Sequence, residues 1–165
     1  MSTIKQDMPL LARHEGVWDG WYRHLDPEGR IVDAHRSRLL CRFPSSGAFP
    51  YHQTNIYTWE DGRKEVRDYP CLYQDGSKEL RFLNELIDGW AREVPIDPKR
   101  RTLMLSWFRP DMPHIYFYEM IQTSDDARRR SRTWQWFNAA DGSIFRRTLI
   151  DETKVADSSA GYEDY

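Results

Sequence analysis

Four residues in two predicted strands could carry acid–base chemistry. Glu119 lies among aromatic residues in segment 115–124, where an inward carboxylate could act as an acid or a base. Either Glu119 or His35 could serve as the proton shuttle, and Arg38 or Tyr118 could stabilise an enolate or phenolate. These residue types predict a cofactor-independent isomerase, cyclase or non-oxidative lyase, provided that the side chains face a common interior.

The orientation of segment 115–124 stays open at the level of sequence. Side chains of a strand alternate between its two faces, and both faces here are apolar enough to be internal. One face carries Tyr116, Tyr118, Met120 and Gln122, and the other carries Ile115, Phe117, Glu119 and Ile121. If Glu119 points outward instead, it becomes a surface partner of a neighbouring arginine.

A row of polar and aromatic side chains in segment 50–59 suggests a binding site. One face carries Tyr51, Gln53, Asn55, Tyr57 and Trp59, and the other carries His52, Thr54, Ile56 and Thr58. We favour the first face inside, because its rings would otherwise sit in water. Buried amides need a polar ligand, water or each other.

Aromatic residues in segments 101–109 and 131–138 extend this site. Their rings could hold a planar or aromatic ligand by stacking and edge contacts. The competing hypothesis to an enzyme is therefore a binding module for a hydrophobic or aromatic small molecule. Its predicted ligand-binding residues are Gln53, Asn55, Tyr57, Trp107, Arg109, Tyr116, Trp134, Gln135 and Arg147.

Other chemistries find little support in the sequence. The five histidines form no HxH or HxxxH pair, so no metal site is expected. Gly-rich phosphate loops and serine-hydrolase motifs are absent from the sequence. We interpret the basic run of Arg128, Arg129, Arg130 and Arg132, which faces Asp125 and Asp126, as a solvated hairpin tip rather than a nucleic-acid site.

The elements that must position these residues are short strands separated by turns. Segments rich in β-branched and aromatic residues recur every 10 to 12 residues, and Asp-Gly pairs between them favour tight hairpins. Closing such a sheet removes its exposed edges, so we predict an all-β, up-and-down antiparallel barrel. The predicted strands are 16–25, 30–43, 50–59, 64–74, 79–83, 86–94, 101–109, 115–124, 131–138 and 144–153.

Length and charge bound the rest of the prediction. With 165 residues, the chain is expected to form one barrel over residues 1–154, with a short helix within 5–15 closing one end and a disordered tail over 155–165. The net charge of −2 disfavours nucleic acid as a partner. Without a long apolar run, a cytoplasmic protein without membrane contact is expected, as a monomer or homodimer.

Two short motifs carry a resemblance to a known superfamily. Gly16-Val17-Trp18 opens the first predicted strand, and Arg146-Arg147 lies on the last. This pair resembles the calycins, which include lipocalins and fatty-acid-binding proteins, and the resemblance implies that one arginine packs on Trp18 in a structural role.

Longer segments resemble the uncharacterised lipocalin-like DUF3598 domains, and the similarity covers most of residues 10–155. These segments are HRSRLLCRFP (35–44), YHQTNIYTW (51–59), DMPHIYFYEMIQ (111–122), RTWQWF (132–137) and RRTLIDE (146–152). The Gly-x-Trp strand is also similar to that of the haem-binding nitrobindins. That similarity makes His114 the one candidate axial ligand for haem; otherwise no cofactor is expected.

Overall fold

Ten antiparallel strands form one closed barrel in a computed structural model that describes residues 3–162. Two short helices, α1 (Ile4–Asp7) and α2 (Pro9–Ala12), precede it. The strands are β1 (Gly16–Leu25), β2 (Ile31–Arg42), β3 (Tyr51–Thr58), β4 (Lys64–Tyr73), β5 (Glu79–Leu83), β6 (Asp88–Val94), β7 (Thr102–Phe108), β8 (Ile115–Thr123), β9 (Arg129–Asn138) and β10 (Ile144–Ala156). The predicted fold class is confirmed.

The barrel has the simplest possible topology. Each strand pairs with the next along the chain, and β1 pairs with β10 to close the sheet, so that Trp18 lies opposite both Leu39 of β2 and Lys154 of β10. Hairpin turns therefore alternate between the two ends of the barrel. Among residues 3–162, neither helix is long or apolar enough to span a bilayer.

The helices cover one end of the barrel, which we call the closed end. Met8, Leu10 and Leu11 are buried in the main hydrophobic core. The backbone N–H groups of Leu10 and Leu11 donate to Glu93 Oε1 at 2.7 and 2.9 Å, which satisfies donors that a short helix leaves free. The predicted closing helix is present as two single turns.

The last strand is longer than predicted, and the chain after it remains packed. β10 continues to Ala156, and Tyr162 contacts an outer hydrophobic cluster formed by Val17, Leu40 and Ile56. The prediction of a disordered tail is therefore corrected for residues 155–162. Residues 163–165 lie outside the described part of the chain.

The cations that cover Trp18 are not the predicted ones. The Arg130 guanidinium lies 4.3 Å and the Lys154 ammonium 5.1 Å from the ring centroid. Arg147 pairs with Leu25 at the far end of β1, so neither it nor its neighbour Arg146 reaches the ring. The register of β1 against β10 is the physical reason.

The basic run does not form a solvated hairpin tip. Arg130 and Arg132 are only 4% and 5% exposed, and both project into the barrel. They form a buried charge cluster with Glu119 and Glu152. These two glutamates supply the carboxylates that buried guanidinium groups require. That interpretation is therefore wrong for these two residues, whereas Arg128 and Arg129 are exposed.

Candidate functional site

A cavity of about 340 Å³ occupies the barrel end opposite the helices, which we call the open end. Its wall includes residues of the turns that follow β3, β5 and β7, among them Arg63, Leu86 and Arg109. A narrower cavity of about 50 Å³ lies deeper and shares Tyr57, Trp107 and other residues with it. The combined volume suits a small organic molecule.

Aromatic rings form most of the cavity wall. Trp107 is stacked on Phe117 with ring centroids 3.9 Å apart, and Trp134 lies edge-on to Trp107 at 5.4 Å. Trp136 packs against Phe117 in the same edge-on manner at 4.7 Å. These contacts fix the rings in place, so the wall presents a rigid surface for a planar ligand.

Two indole N–H groups in this wall lack partners among the described residues. Nε1 of Trp107 and Nε1 of Trp134 are buried and make no hydrogen bond to any of residues 3–162. The other two indoles of the cavity are satisfied, since Trp59 donates to Asp33 and Trp136 donates to Thr148. Unpaired buried donors are costly, so an acceptor atom on a ligand would be stabilised here.

Four arginines line the cavity, and two of them have no carboxylate partner among the described residues. Arg67 pairs with Glu65 at 2.6 Å, and Arg109 pairs with Asp111 at 2.5 Å. Arg63 and Arg146 instead lie over indole rings, at 4.0 Å from Trp59 and 5.2 Å from Trp136. The cavity wall therefore carries two arginines that are not neutralised by a direct ion pair with any of residues 3–162.

A group of two histidines and one carboxylate lies in the same wall. Asp33 Oδ2 is 3.2 Å from His35 Nδ1 and 3.8 Å from His24 Nε2. Burial lowers the pKa of His24 to about 4, and it also lowers the pKa of His35, although the hydrogen bond from His35 to Asp33 opposes that shift. Both imidazoles are therefore neutral at pH 7.

Asp33 remains ionised beside these imidazoles. Burial acts to raise its pKa, but hydrogen bonds from Trp59 and His35 outweigh burial, and the pKa is lowered. The carboxylate can therefore accept a hydrogen bond from His35, orient its ring or bind a cation.

The amide face of β3 points inward and satisfies its own hydrogen bonds. The Tyr51 hydroxyl donates to Gln53 Oε1 at 3.2 Å, Gln53 Nε2 donates to Asn55 Oδ1 at 2.8 Å, and Asn55 Nδ2 donates to the Tyr57 hydroxyl at 2.8 Å. Gln53, Asn55 and Tyr57 line the deeper cavity. The two amides therefore hydrogen-bond to each other, one of the three arrangements that the sequence left open.

Glu119 points inward but is not a lone carboxylate. Its side chain is 2% exposed, and Arg132 Nε donates to its Oε1 at 2.6 Å. Arg132 Nη1 also donates to the Tyr22 hydroxyl at 3.0 Å and to Glu152 Oε1 at 3.3 Å. A carboxylate held in this way serves the buried charge cluster, which makes Glu119 a weak candidate for proton transfer.

Five predicted site residues lie outside the cavity, and strand alternation explains each. Because Glu119, Trp134, His35 and Arg146 face inward, side chains an odd number of positions away on the same strand must face outward. The residues corrected in this way are Arg38, Tyr116, Tyr118, Gln135 and Arg147. Arg38 pairs with Asp19 on the outer surface, and Tyr118 is 44% exposed.

The remaining predicted catalytic and ligand-binding residues line the two cavities, and the sequence analysis missed several further residues of the cavity wall. His35, Trp107, Trp134 and Arg109 line the larger cavity. His114 is exposed in the turn before β8 and does not line it. The missed residues include Tyr22, His24, Asp33, Arg63, Arg67 and Arg146. Period-two alternation outward from His35 would have identified Asp33, and pairing of β1 with β2 would have identified Tyr22 and His24.

Comparison with known proteins identifies the fold. A scan against protein-family models and a search of curated proteins gave no match. Among solved structures, the chain is similar to a DUF3598 protein of unknown function from Nostoc punctiforme PCC 73102, with a TM-score of 0.67 and 16% identity over 88% of this chain and 49% of that one. The chain thus spans about half the length of that protein.

A second similar structure is the S-type phycobiliprotein lyase from Guillardia theta, with a TM-score of 0.67 and 12% identity over 88% of this chain and 90% of the lyase. Both relatives are lipocalin-like barrels. At these identities the likeness concerns the fold alone. The ten-stranded barrel described above therefore shares its fold with these two proteins.

Proposed function

We propose that the barrel binds a small aromatic molecule carrying an anionic group, in the cavity at its open end. The observation that carries this proposal is the pair of buried, unpartnered indole N–H groups of Trp107 and Trp134 in an aromatic wall. A ligand oxygen would satisfy those donors, and its ring would pack on the same indoles.

The charge of the ligand follows from the arginines. Arg63 and Arg146 have no carboxylate partner among residues 3–162, and each guanidinium keeps its fork of donors available at the cavity wall. Arginine recognises carboxylate, sulfonate and phosphate groups through such paired donors. A neutral or cationic aromatic molecule would leave this positive charge uncompensated.

Two matched fluorescent probes test the proposal. 1-Anilinonaphthalene-8-sulfonate and N-phenyl-1-naphthylamine share the same rings, and only the first carries a sulfonate. We expect the anionic probe to bind the purified protein with one site and at least about tenfold more tightly, because a hydrogen bond to a charged group contributes roughly 1.5–3 kcal/mol. Titration by fluorescence and calorimetry measures both affinities.

Adjacent arginines supply the control. Arg146→Ala is expected to weaken the anionic probe by roughly 10- to 100-fold and to change the neutral probe much less. Arg147→Ala, one residue along β10 but on the outer face, should leave both affinities unchanged. Equal affinities for the two probes in the wild type, or equal effects of the two substitutions, would contradict the proposal.

The Asp33–His35 pair favours a second candidate, a cofactor-independent isomerase, cyclase or lyase acting on the same kind of ligand. His35 Nδ1 is hydrogen-bonded to Asp33 in the cavity wall, so the carboxylate can orient the imidazole for proton transfer. In this role His35 replaces Glu119 as the principal acid or base.

Product analysis tests this second candidate. Aromatic acids that compete with the anionic probe are incubated with the protein and followed by mass spectrometry for isomerised, cyclised or decarboxylated products. If His35 transfers the proton, His35→Gln should reduce product formation by roughly 100-fold or more. Unchanged product formation would exclude His35 as the acid or base, and bound acids that remain chemically intact would favour the binding module.

A further inference from the structure

We propose that His24, Asp33 and His35 form a binding site for one divalent first-row transition-metal ion at the open end of the barrel. One ligand atom from each residue lies within 4.8 Å of the other two. Two imidazole nitrogens and one carboxylate oxygen are a donor set that suits zinc, iron, cobalt or nickel. This inference is independent of the proposed aromatic ligand.

The distances between the ligand atoms are close to those of a metal site. Metal–ligand bonds of about 2.0–2.2 Å place neighbouring ligand atoms about 2.8–3.6 Å apart in octahedral or tetrahedral geometry. Asp33 Oδ2 is 3.2 Å from His35 Nδ1, within that range, and 3.8 Å from His24 Nε2. Binding one ion with all three residues would require His24 Nε2 to move closer to Asp33 Oδ2.

In two of the three ligand residues, the polar atom that would not bind the ion already has a hydrogen-bond partner, as in established metal sites. Trp59 Nε1 donates to Asp33 Oδ1 at 3.1 Å, so Oδ2 is the oxygen that an ion would bind, in place of its hydrogen bond from His35 Nδ1. His24 Nδ1 lies 2.8 Å from Thr148 Oγ1, and that hydroxyl is itself held by Trp136 at 2.9 Å. Such outer contacts orient ligand side chains toward a common centre.

The backbone and the neighbouring rings hold the three side chains in place. His24 and Asp33 are opposite one another in the β1–β2 ladder, and Tyr22 is opposite His35 two positions away. The His35 ring is stacked on Tyr22, with centroids 4.9 Å apart, and also lies 4.5 Å from Trp59. Ligands on paired strands are positioned more precisely than ligands on loops.

Three protein ligands leave further coordination positions for solvent or an added molecule. All three residues line the cavity, so we place the vacant coordination positions on its side. Arg67 and Arg146 line the same cavity and repel a cation, which limits affinity for the metal alone. An anion that occupied an open position would offset that repulsion.

Co²⁺ is the probe for this site, because its visible spectrum reports on nitrogen coordination and geometry. We expect one Co²⁺ to bind per chain, with absorption bands typical of nitrogen and oxygen ligands, and Zn²⁺ to displace it. His24→Gln and His35→Gln should each weaken Co²⁺ binding by at least about 10- to 100-fold, as the loss of a supporting group already does in known metal sites. Calorimetry with Zn²⁺ gives the stoichiometry independently.

His52 provides a matched control, since its Nε2 lies 3.4 Å from Asp68 in a histidine–carboxylate pair on the outer face of β3. His52→Gln should leave Co²⁺ binding unchanged. If the wild type gives no saturable one-to-one binding, or if His52→Gln abolishes binding while the His24 and His35 variants retain it, the site does not exist.

A measurement on the wild type alone keeps the test decisive if the variants fold poorly. A specific site should raise the melting temperature of the wild type in saturating Co²⁺, because an ion that binds only the folded state stabilises that state. The absence of any Co²⁺-dependent shift would contradict the proposal. The proposed aromatic ligand would remain testable with the two naphthalene probes in metal-free buffer.

Discussion

Glu152→Gln is expected to lower the free energy of unfolding by about 3–5 kcal/mol, the largest effect of any single change proposed for this protein. The Glu152 side chain is 0% exposed, and it accepts hydrogen bonds from both Arg130 and Arg132. Without its charge, two guanidinium groups remain inside the barrel with Glu119 as the remaining carboxylate of the cluster. Chemical denaturation at pH 7 measures the loss.

The adjacent residue is the control for this prediction. Asp151 pairs with Arg23 on the outer surface and is 65% exposed, so Asp151→Asn should change stability by no more than about 1 kcal/mol. A similar loss for both substitutions would mean that burial does not distinguish the two ion pairs. A negligible loss for Glu152→Gln would mean that the cluster reorganises around the amide.

Acidification is expected to destabilise the protein through His14. Burial lowers the pKa of this imidazole well below its ordinary value of 6.5, and the positive charges of Arg130, Arg132, Lys154 and Arg13 lower it further. Arg130 Nη1 lies 3.1 Å from His14 Nδ1, which accepts from it, so the Nε2–H donates to Thr123 Oγ1 at 2.9 Å. A second ring proton would face the guanidinium of Arg130.

The sign of the pH effect follows from this lowered pKa. Above about pH 6.5 the imidazole is neutral in both folded and unfolded chains, and its full contribution to stability is present. Below that value only the unfolded chain takes up the proton, so the free energy of unfolding falls by up to about 1.4 kcal/mol per pH unit for this group. Denaturant unfolding between pH 7.5 and 5 measures the slope.

His14→Gln separates this effect from general acid sensitivity. The variant is expected to be less stable at pH 7 but to lose stability less steeply on acidification. The difference in slope should correspond to about one proton fewer taken up on unfolding. His114→Gln, which changes an exposed side chain, should leave the slope unaltered. If His14→Gln shows the wild-type slope, another group controls the acid response.

Much of the barrel could be predicted because its turns have a local chemical signature. Asp61-Gly62, Asp75-Gly76 and Asp141-Gly142 each place a glycine with φ between 72° and 84° at a hairpin, a backbone conformation that few other residues adopt. The beginning of β9 was harder to predict. Arg130 looks like a surface residue until its partner Glu152, 22 positions later on the paired strand, is brought beside it.

The candidate site was less accessible from sequence for a related reason. Alternation tells which residues share a face, but not which face is internal, so Tyr118 and Glu119 were both proposed although only one can line the cavity. The histidine–aspartate group spans β1 and β2, so spacing within β2 can connect Asp33 with His35 but cannot reveal His24. Sequence therefore predicted the aromatic character of the site better than its charged groups.

The buried charge cluster and the cavity rim lie at opposite ends of the barrel, and this separation affects which residues can be changed. The buried charge cluster and the helices lie toward the closed end, whereas Arg63, Arg109 and the turns around them rim the cavity. Insertions in those rim turns touch none of the ion pairs of the buried charge cluster. The rim can consequently diversify, in nature or in a designed biosensor, while the scaffold beneath it stays unchanged.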